Sequence, residues 1–242
     1  KMPPLLVGET IVFITGNNAL LGVTPEGSVL WETPLPAPPV RWAIAEDRLA
    51  VSTSSRDLII VDQAGQVLHS AAYPDVPVPV AAPDEGFLVL HGSQIEQLDG
   101  AFRAIPLIDA GRAVTSAAEL VRGPAGEFYL YTGEGRGLYA YDSEGTLLWI
   151  AYMPGSHRRA PILGLGGGQA LYALTTDGQL LAYTTVDGRL AAQLALYNGG
   201  VDGAPTTRWM RVGPDDTVTF GSGFLSAIAI YGLDLLDEQP PT

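Results

Sequence analysis

One segment recurs along this chain and limits its fold more than any other feature. Its clearest copy is Leu138-Tyr-Ala-Tyr-Asp-Ser-Glu-Gly-Thr-Leu-Leu-Trp149: an apolar run, an acidic turn ending in glycine, then a second apolar run closing on an aromatic. Weaker copies run from Leu20 to Trp31, from Leu58 to His69 and from Leu180 to Leu190. A fifth starts at Ile95, turns at Asp99-Gly100 and continues from Ala101 to Leu107. The turn glycines Gly27, Gly65, Gly100, Gly145 and Gly188 lie 38, 35, 45 and 43 residues apart. A period of roughly 40 residues matches one four-stranded blade and exceeds that of leucine-rich repeats. Helical repeats of this period need apolar residues at i, i+3, i+4 and i+7, whereas these runs are short, β-rich and bounded by turns.

Four strands fit within each period. In the second unit they are Val40–Ile44, Leu49–Thr53, Asp57–Val61 and Gln66–Ser70. In the fifth, Ala170–Leu174, Leu180–Tyr183 and Leu190–Leu196 are the last three. Asp99-Gly100, Asp177-Gly178 and Asp187-Gly188 are the strongest hairpin signals, because glycine reaches positive φ without steric cost. The sixth unit offers three strands, Arg208–Val212, Thr217–Phe220 and Ser226–Tyr231, and a short strand Pro3–Val7 opens the first. The expected fold is therefore all-β, a propeller of four-stranded antiparallel blades. Six blades is the first expectation, and an incomplete part of a seven- or eight-bladed ring is the alternative. Blades bury their faces against neighbours, so residues 1–234 read as one domain and 235–242 as a tail or linker start.

Composition narrows the partners. The 242 residues carry a net charge of −13, and Lys1 is the one lysine among the cations. Nucleic acids and anionic membranes are bound largely by neutralising phosphate, so neither is expected as a partner. No apolar run approaches the roughly 18 residues of a spanning helix, so no direct membrane insertion is expected. Cysteine is absent, which removes disulfides, thiolate metal ligands and thiol catalysis. No charged and apolar leader precedes the first strand, so any signal peptide has been removed, and a start at Lys1 reads as a processed or cropped chain.

The segments Gly137-Leu-Tyr-Ala-Tyr-Asp-Ser-Glu-Gly-Thr-Leu-Leu-Trp149 and Leu171-Tyr-Ala-Leu-Thr-Thr-Asp-Gly-Gln-Leu-Leu-Ala-Tyr183 resemble the PQQ-like, or quinoprotein-type, β-propeller repeat. The resemblance spans five units and part of a sixth. It implies either a quinone- and calcium-dependent dehydrogenase or a non-catalytic scaffold, of which the outer-membrane assembly lipoprotein is an example. Dehydrogenase members are much longer, and many carry a vicinal cysteine pair. Lacking both features, this chain resembles the non-catalytic branch. No cofactor residue is carried over, and no cofactor is expected.

Candidate chemistry is sparse. Aligning the innermost strands places Arg41-Trp42 at the start of the second unit's strand and Arg208-Trp209 at that of the sixth. Arg159, after His157-Arg158, holds the comparable place in the fifth. Such residues could hold a carboxylate or a partner segment through bidentate pairing and aromatic contact. The alternative is that both tryptophans pack between blades while the arginines pair with local acids. His69, His91 and His157 fall in different units, and His69 takes the place of Trp31 and Trp149, which indicates packing. Gly164-Leu-Gly-Gly-Gly168 lacks the strand, loop and helix context of a phosphate loop and reads as a turn. Asp142-Ser-Glu-Gly145 and Asp84-Glu-Gly86 lack the alternating ligands of a calcium loop.

The sequence thus leads to a non-enzymatic scaffold that presents a rigid face to a protein partner, exported and part of a larger complex or multidomain chain. The alternative is a small-molecule-binding or enzymatic propeller using its channel, either a quinone-dependent oxidoreductase or a metal-dependent hydrolase. No catalytic or metal-ligating residue is assigned.

Overall fold

The computed structural model describes residues 4–82, 86–133, 135–154, 161–167, 170–195, 208–222 and 225–230. Among them every regular element is a strand. Five sheets have four strands and one has three, each an antiparallel meander in chain order. The first is Leu5–Val7, Thr10–Ile14, Ala19–Val23 and Val29–Pro34. The second is Pro39–Ala45, Arg48–Thr53, Asp57–Asp62 and Val67–Ala72, and the third Val78–Ala82, Gly86–His91, Gln94–Leu98 and Ala104–Asp109. These three belong to one compact unit, Lys1–Ser116. The other unit, Ala117–Thr242, holds the rest. Its fourth sheet is Glu119–Arg122, Phe128–Tyr131, Gly137–Tyr141 and Leu147–Tyr152, and its fifth Ile162–Leu165, Ala170–Leu174, Gln179–Thr184 and Leu190–Ala195. The sixth has Arg208–Val212, Val218–Ser222 and Leu225–Ile230. The strands expected from sequence are present, with ends moved by a residue or two.

Burial follows from stacking sheets face to face. Middle strands such as Leu58–Val61, Phe128–Tyr131 and Ala170–Leu174 are buried at every position, on both faces. A strand facing water on one side would alternate instead. Apolar clusters fill the spaces between sheets one and two, two and three, four and five, and five and six. Burying each such Leu, Ile or Val contributes about 1.5–3 kcal/mol. Fourth strands are the exposed ones, with Val29 and Leu30 at 64% and 54% exposure.

A bulge shapes each of these outer strands in four sheets. Val23 pairs with Val29 and Gly22 with Trp31, which leaves Leu30 as the extra residue. The same step skips Leu68, Leu148 and Ala191. Because side chains alternate along a strand, one inserted residue flips the remainder to the other face. Val29 and Leu30 both point outward, and Trp31 and Thr33 turn toward the next sheet.

There the tryptophan meets the next sheet's glycine turn. A Cβ on Gly65 would overlap the Trp31 indole, and one on Gly188 would overlap Trp149. Trp31 Nε1 donates to the Gln63 carbonyl at 2.8 Å, and Trp149 Nε1 to the Thr185 carbonyl at 2.8 Å. Thr33 Oγ1 adds a bond to the Gly65 carbonyl at 2.7 Å. Gly65 and Gly188 also have φ of 77° and 68°, so both conformation and close approach require glycine.

Each turn is fastened by its own acid. Asp62 Oδ1 accepts from the backbone of Ala64 and Gln66 at 2.9 Å, and Asp142 Oδ1 from Glu144 and Thr146 at 3.0 and 2.8 Å. The Thr146 backbone bond, more than any other contact, holds the Asp142 carboxyl below the usual range. The Thr184 hydroxyl does the same for Asp187. The third unit departs from expectation. Gly100 is not the left-handed turn residue. Phe102 is, with φ of 58°, its N–H donating to the Asp99 carbonyl as Gly65 N–H does to Asp62. The turn is counted from its aspartate, which fixes the backbone, and not from the nearest glycine.

Two outcomes follow. Gly188→Ala combines left-handed strain with overlap on Trp149 and lowers stability by about 2–4 kcal/mol in urea denaturation, whereas Gly100→Ala stays within about 0.5 kcal/mol of the parent. A depressed carboxyl pKa adds stability that is present above the unfolded value, about 3.9, and lost as pH falls through the folded value. Asp142→Asn with Asp187→Asn therefore flattens the decline in melting temperature on acidification below about pH 4, measured by circular dichroism.

Candidate functional site

Arg41 and Trp42 lie in the first strand of sheet two, opposite Ser52 and Val51. Their side chains leave opposite faces of that strand. Trp42 packs against the cluster of Val7, Val12, Leu49 and Val51 between sheets one and two. The Arg41 carbonyl accepts from Ser52 Oγ at 3.5 Å. In the second unit, Arg208 and Trp209 open the first strand of sheet six, opposite Ser222 and Gly221. Trp209 is 45% exposed. His157, Arg158 and Arg159 lie outside the described residues. Of the glycine-rich run expected as a turn, Gly164 and Leu165 end the first strand of sheet five and the turn begins after them; a Cβ at Gly166 would overlap Asp216, and one at Gly167 the Pro214 carbonyl.

His91 lies 3.1 Å from Glu96, both largely buried, on the second and third strands of sheet three. The approach is close enough for an ion pair, but His91 Nε2 makes no hydrogen bond of good geometry. Tyr73 packs on the His91 ring at 4.9 Å between centroids. Burial, with the Glu96 charge adding to it, pushes the Tyr73 hydroxyl up to about 12. It therefore stays protonated at neutral pH and packs as a neutral ring against His91. Among the described residues no three His, Asp or Glu side chains converge as metal ligands.

A concavity lies between sheets two and three, where the repeat departs from its pattern. His69 takes the place of Trp31 and Trp149, and Phe102 that of Gly65. The two rings stack at 5.5 Å and 26°. A large-on-small contact has become small-on-large, with the bulk moved from the outer strand to the turn. Burial disfavours the charged form of His69 and lowers its pKa. A cleft of about 620 Å³ opens at this junction. Phe102 supplies the apolar wall, with Ala45 and Ala81 at its edge, and Glu46, Arg48 and Asp99 supply charge. Asp99 is held by Arg103 through Nη2 and Nε at 2.7 and 2.8 Å. Arg48 lies 3.6 Å from Asp47 and 3.9 Å from Glu46. Glu46 and Phe102 are both non-glycine residues at positive φ, 52° and 58°. Such strain costs of order 1–3 kcal/mol per residue and persists only where surroundings enforce it. From sequence Gly100 reads only as a turn glycine, and Glu46, Arg48 and Phe102 carry no signal of their own. Counting from Asp62, Asp99 and Asp142 would have placed Phe102 beneath His69.

No family model matches the chain, and no curated protein matches it. Solved structures do. One is a protein of unknown function from Bacteroides caccae, with 13% identity, TM-score 0.62, and coverage of 91% of this chain and 88% of that one. A streptogramin B lyase gives 15% identity, TM-score 0.65, and coverage of 88% and 72%. BamB from Moraxella catarrhalis gives 18%, TM-score 0.56, and coverage of 93% and 71%. The lyase and BamB are both β-propeller repeat proteins. At these identities the likeness shows the fold: this chain has the all-β, propeller-type architecture. It does not choose between a lyase and a scaffold.

The exchange at sheets two and three predicts non-additivity. His69→Trp alone overpacks against Phe102, and Phe102→Gly alone leaves a void beside His69. The double variant restores the pair seen at the other junctions. A double-mutant cycle by chemical denaturation gives a favourable coupling of about 1–3 kcal/mol.

Proposed function

We propose that this chain is a non-enzymatic propeller scaffold whose surface engages a protein partner. The observation that carries the reading is the repeated apolar display on the outer strands. Val29 and Leu30, Val67 and Leu68, and Leu147 and Leu148 stand exposed at the bulges, between 41% and 64%. Within each unit, apolar side chains repeated on hydrogen-bonded strands bind with little loss of conformational entropy and favour association. The bulges keep these outer edges from pairing as bare strands, so the surface invites side-chain contact more than strand addition. Arg41, Trp42, His157, Arg158, Arg159, Arg208 and Trp209 belong to the proposal as further contacts, and the exposure of Trp209 supports its share. The reading extends to an exported protein, as the resemblance to outer-membrane assembly propellers implies.

A second reading, a propeller that binds a small molecule, is favoured by the cleft between sheets two and three.

Photo-crosslinking residues placed at Leu30, Leu68 and Leu148 in cells test the first reading. One discrete adduct is expected at these sites and none at exposed Glu26. Glutamate at Val67 and Leu68, exposed positions where stability shifts by only about 0.5 kcal/mol, removes that adduct. Arg41→Ala with Arg208→Ala weakens capture if the arginines contribute. Adducts that survive Val67→Glu with Leu68→Glu overturn the outer-strand reading.

A further inference from the structure

The junction between sheets one and two shows what a closed junction looks like. Gly8, at φ of 58° in the first hairpin of sheet one, faces Gln63 of sheet two, and a Cβ there would overlap the Gln63 amide. The Gln63 carbonyl accepts two donors, Trp31 Nε1 at 2.8 Å and Thr10 Oγ1 at 3.1 Å. Every one of these positions is changed at the next junction. Ala45 pairs with Arg48 as Val7 pairs with Thr10, so Glu46 stands for Gly8 and Arg48 for Thr10. His69 stands for Trp31. Gly100, directly after Asp99, stands for Gln63, directly after Asp62.

These exchanges leave a built opening. Where Gln63 fills space, Gly100 has none to offer, and a Cβ placed on it would meet nothing within 4 Å. Gly100 lines the cleft of about 620 Å³. Its carbonyl corresponds to the one that takes an indole N–H at both tryptophan junctions, and among the described residues no donor reaches it. Such a carbonyl accepts a ligand N–H in an orientation the fold already dictates. The apolar surface beside it is the Phe102 ring, with Ala45 and Ala81 at its edge; Phe87 and Leu98 lie buried beneath. Phe102 is fixed from behind by its stack on His69. Across the opening the Glu46 carboxylate is mostly exposed, tethered to Arg48 only at 3.9 Å. Asp99 adds a second carboxylate, already matched by Arg103. The carbonyl lacks an N–H donor and the Phe102 face lacks a flat apolar partner, while the three carboxylates Glu46, Asp47 and Asp99 against the two guanidiniums Arg48 and Arg103 leave one negative charge uncompensated.

We infer that this cleft is a binding site for a small aromatic amine: the ring stacks on Phe102, an N–H reaches the Gly100 carbonyl, and the ammonium group faces Glu46. It goes beyond the scaffold reading and stands without it. A cation near the Phe102 face gains further from the ring quadrupole, and because Arg48 is already engaged by Asp47 and Glu46, a carboxylate on the ligand would meet the excess negative charge and be repelled.

Tryptamine and indole-3-acetate share a ring system and differ in charge, so titration of the full chain with each by isothermal calorimetry tests the assignment. Tryptamine is expected to saturate one site with a dissociation constant on the order of 0.1–1 mM, ordinary for a ligand of that size. Indole-3-acetate is expected to bind at least about tenfold more weakly, because its carboxylate meets Glu46. Gly100→Gln supplies the side chain found at the closed junction. Gly100 lies outside the left-handed region and its Cβ position is empty, so this variant keeps the parent's melting temperature. It is expected to weaken tryptamine at least about tenfold, and Glu46→Gln by about threefold or more. Absence of saturation by tryptamine, unchanged affinity in Gly100→Gln, or equal affinity for indole-3-acetate would each overturn the proposal.

Discussion

An indole resting on a backbone without a side chain is the contact on which this architecture depends. Trp31 covers Gly65 and Trp149 covers Gly188, each with a hydrogen bond to a carbonyl of the same turn. The contact joins one sheet's outermost strand to the next sheet's turn, so it fixes the spacing between sheets as well as their registry. It needs three things at once: a bulge to aim the indole, a left-handed residue to shape the turn, and a missing Cβ to admit the ring. Loss of any one removes the other two from use. This explains why the segment recurs as a block.

Much of this was legible in the chain. The roughly 40-residue spacing, the Asp and Gly turns and the apolar runs located the strands of the second, fifth and sixth sheets to within a residue or two. The place of His69 in the tryptophan column was visible too. What the chain concealed was the partner of that histidine. Gly100 looked like the turn glycine because Asp-Gly is the commonest hairpin signal, yet hydrogen bonds from Ala101 and Arg103 to Asp99 set the turn two residues later, at Phe102. Compensation between residues in different sheets leaves no local trace. The cleft escaped notice for the same reason, since Glu46 and Gly100 are unremarkable until superposed on Gly8 and Gln63.

The candidate arginines show the opposite limit. Equivalent positions in a repeat are read easily, but what each side chain faces depends on the neighbouring sheet. Trp42 turned out to be packed against Val7, Val12 and Leu49, while Trp209, its counterpart by alignment, is half exposed. One pattern of residues therefore serves packing in one place and surface display in another. The outer-strand apolar pairs, which no alignment of inner strands would bring forward, arise from the bulge that orients the tryptophans.

The stack of His69 on Phe102 has a further consequence for how the chain assembles. A protein made of near-copies risks joining sheets in the wrong order, because any tryptophan strand would suit any glycine turn. Trp31 brought against Phe102 would collide, and His69 brought against Gly65 would leave a gap. The odd pair thus works as an address. It admits one neighbour, rejects the others, and gives a repetitive chain a marked position from which the order of its sheets can be counted.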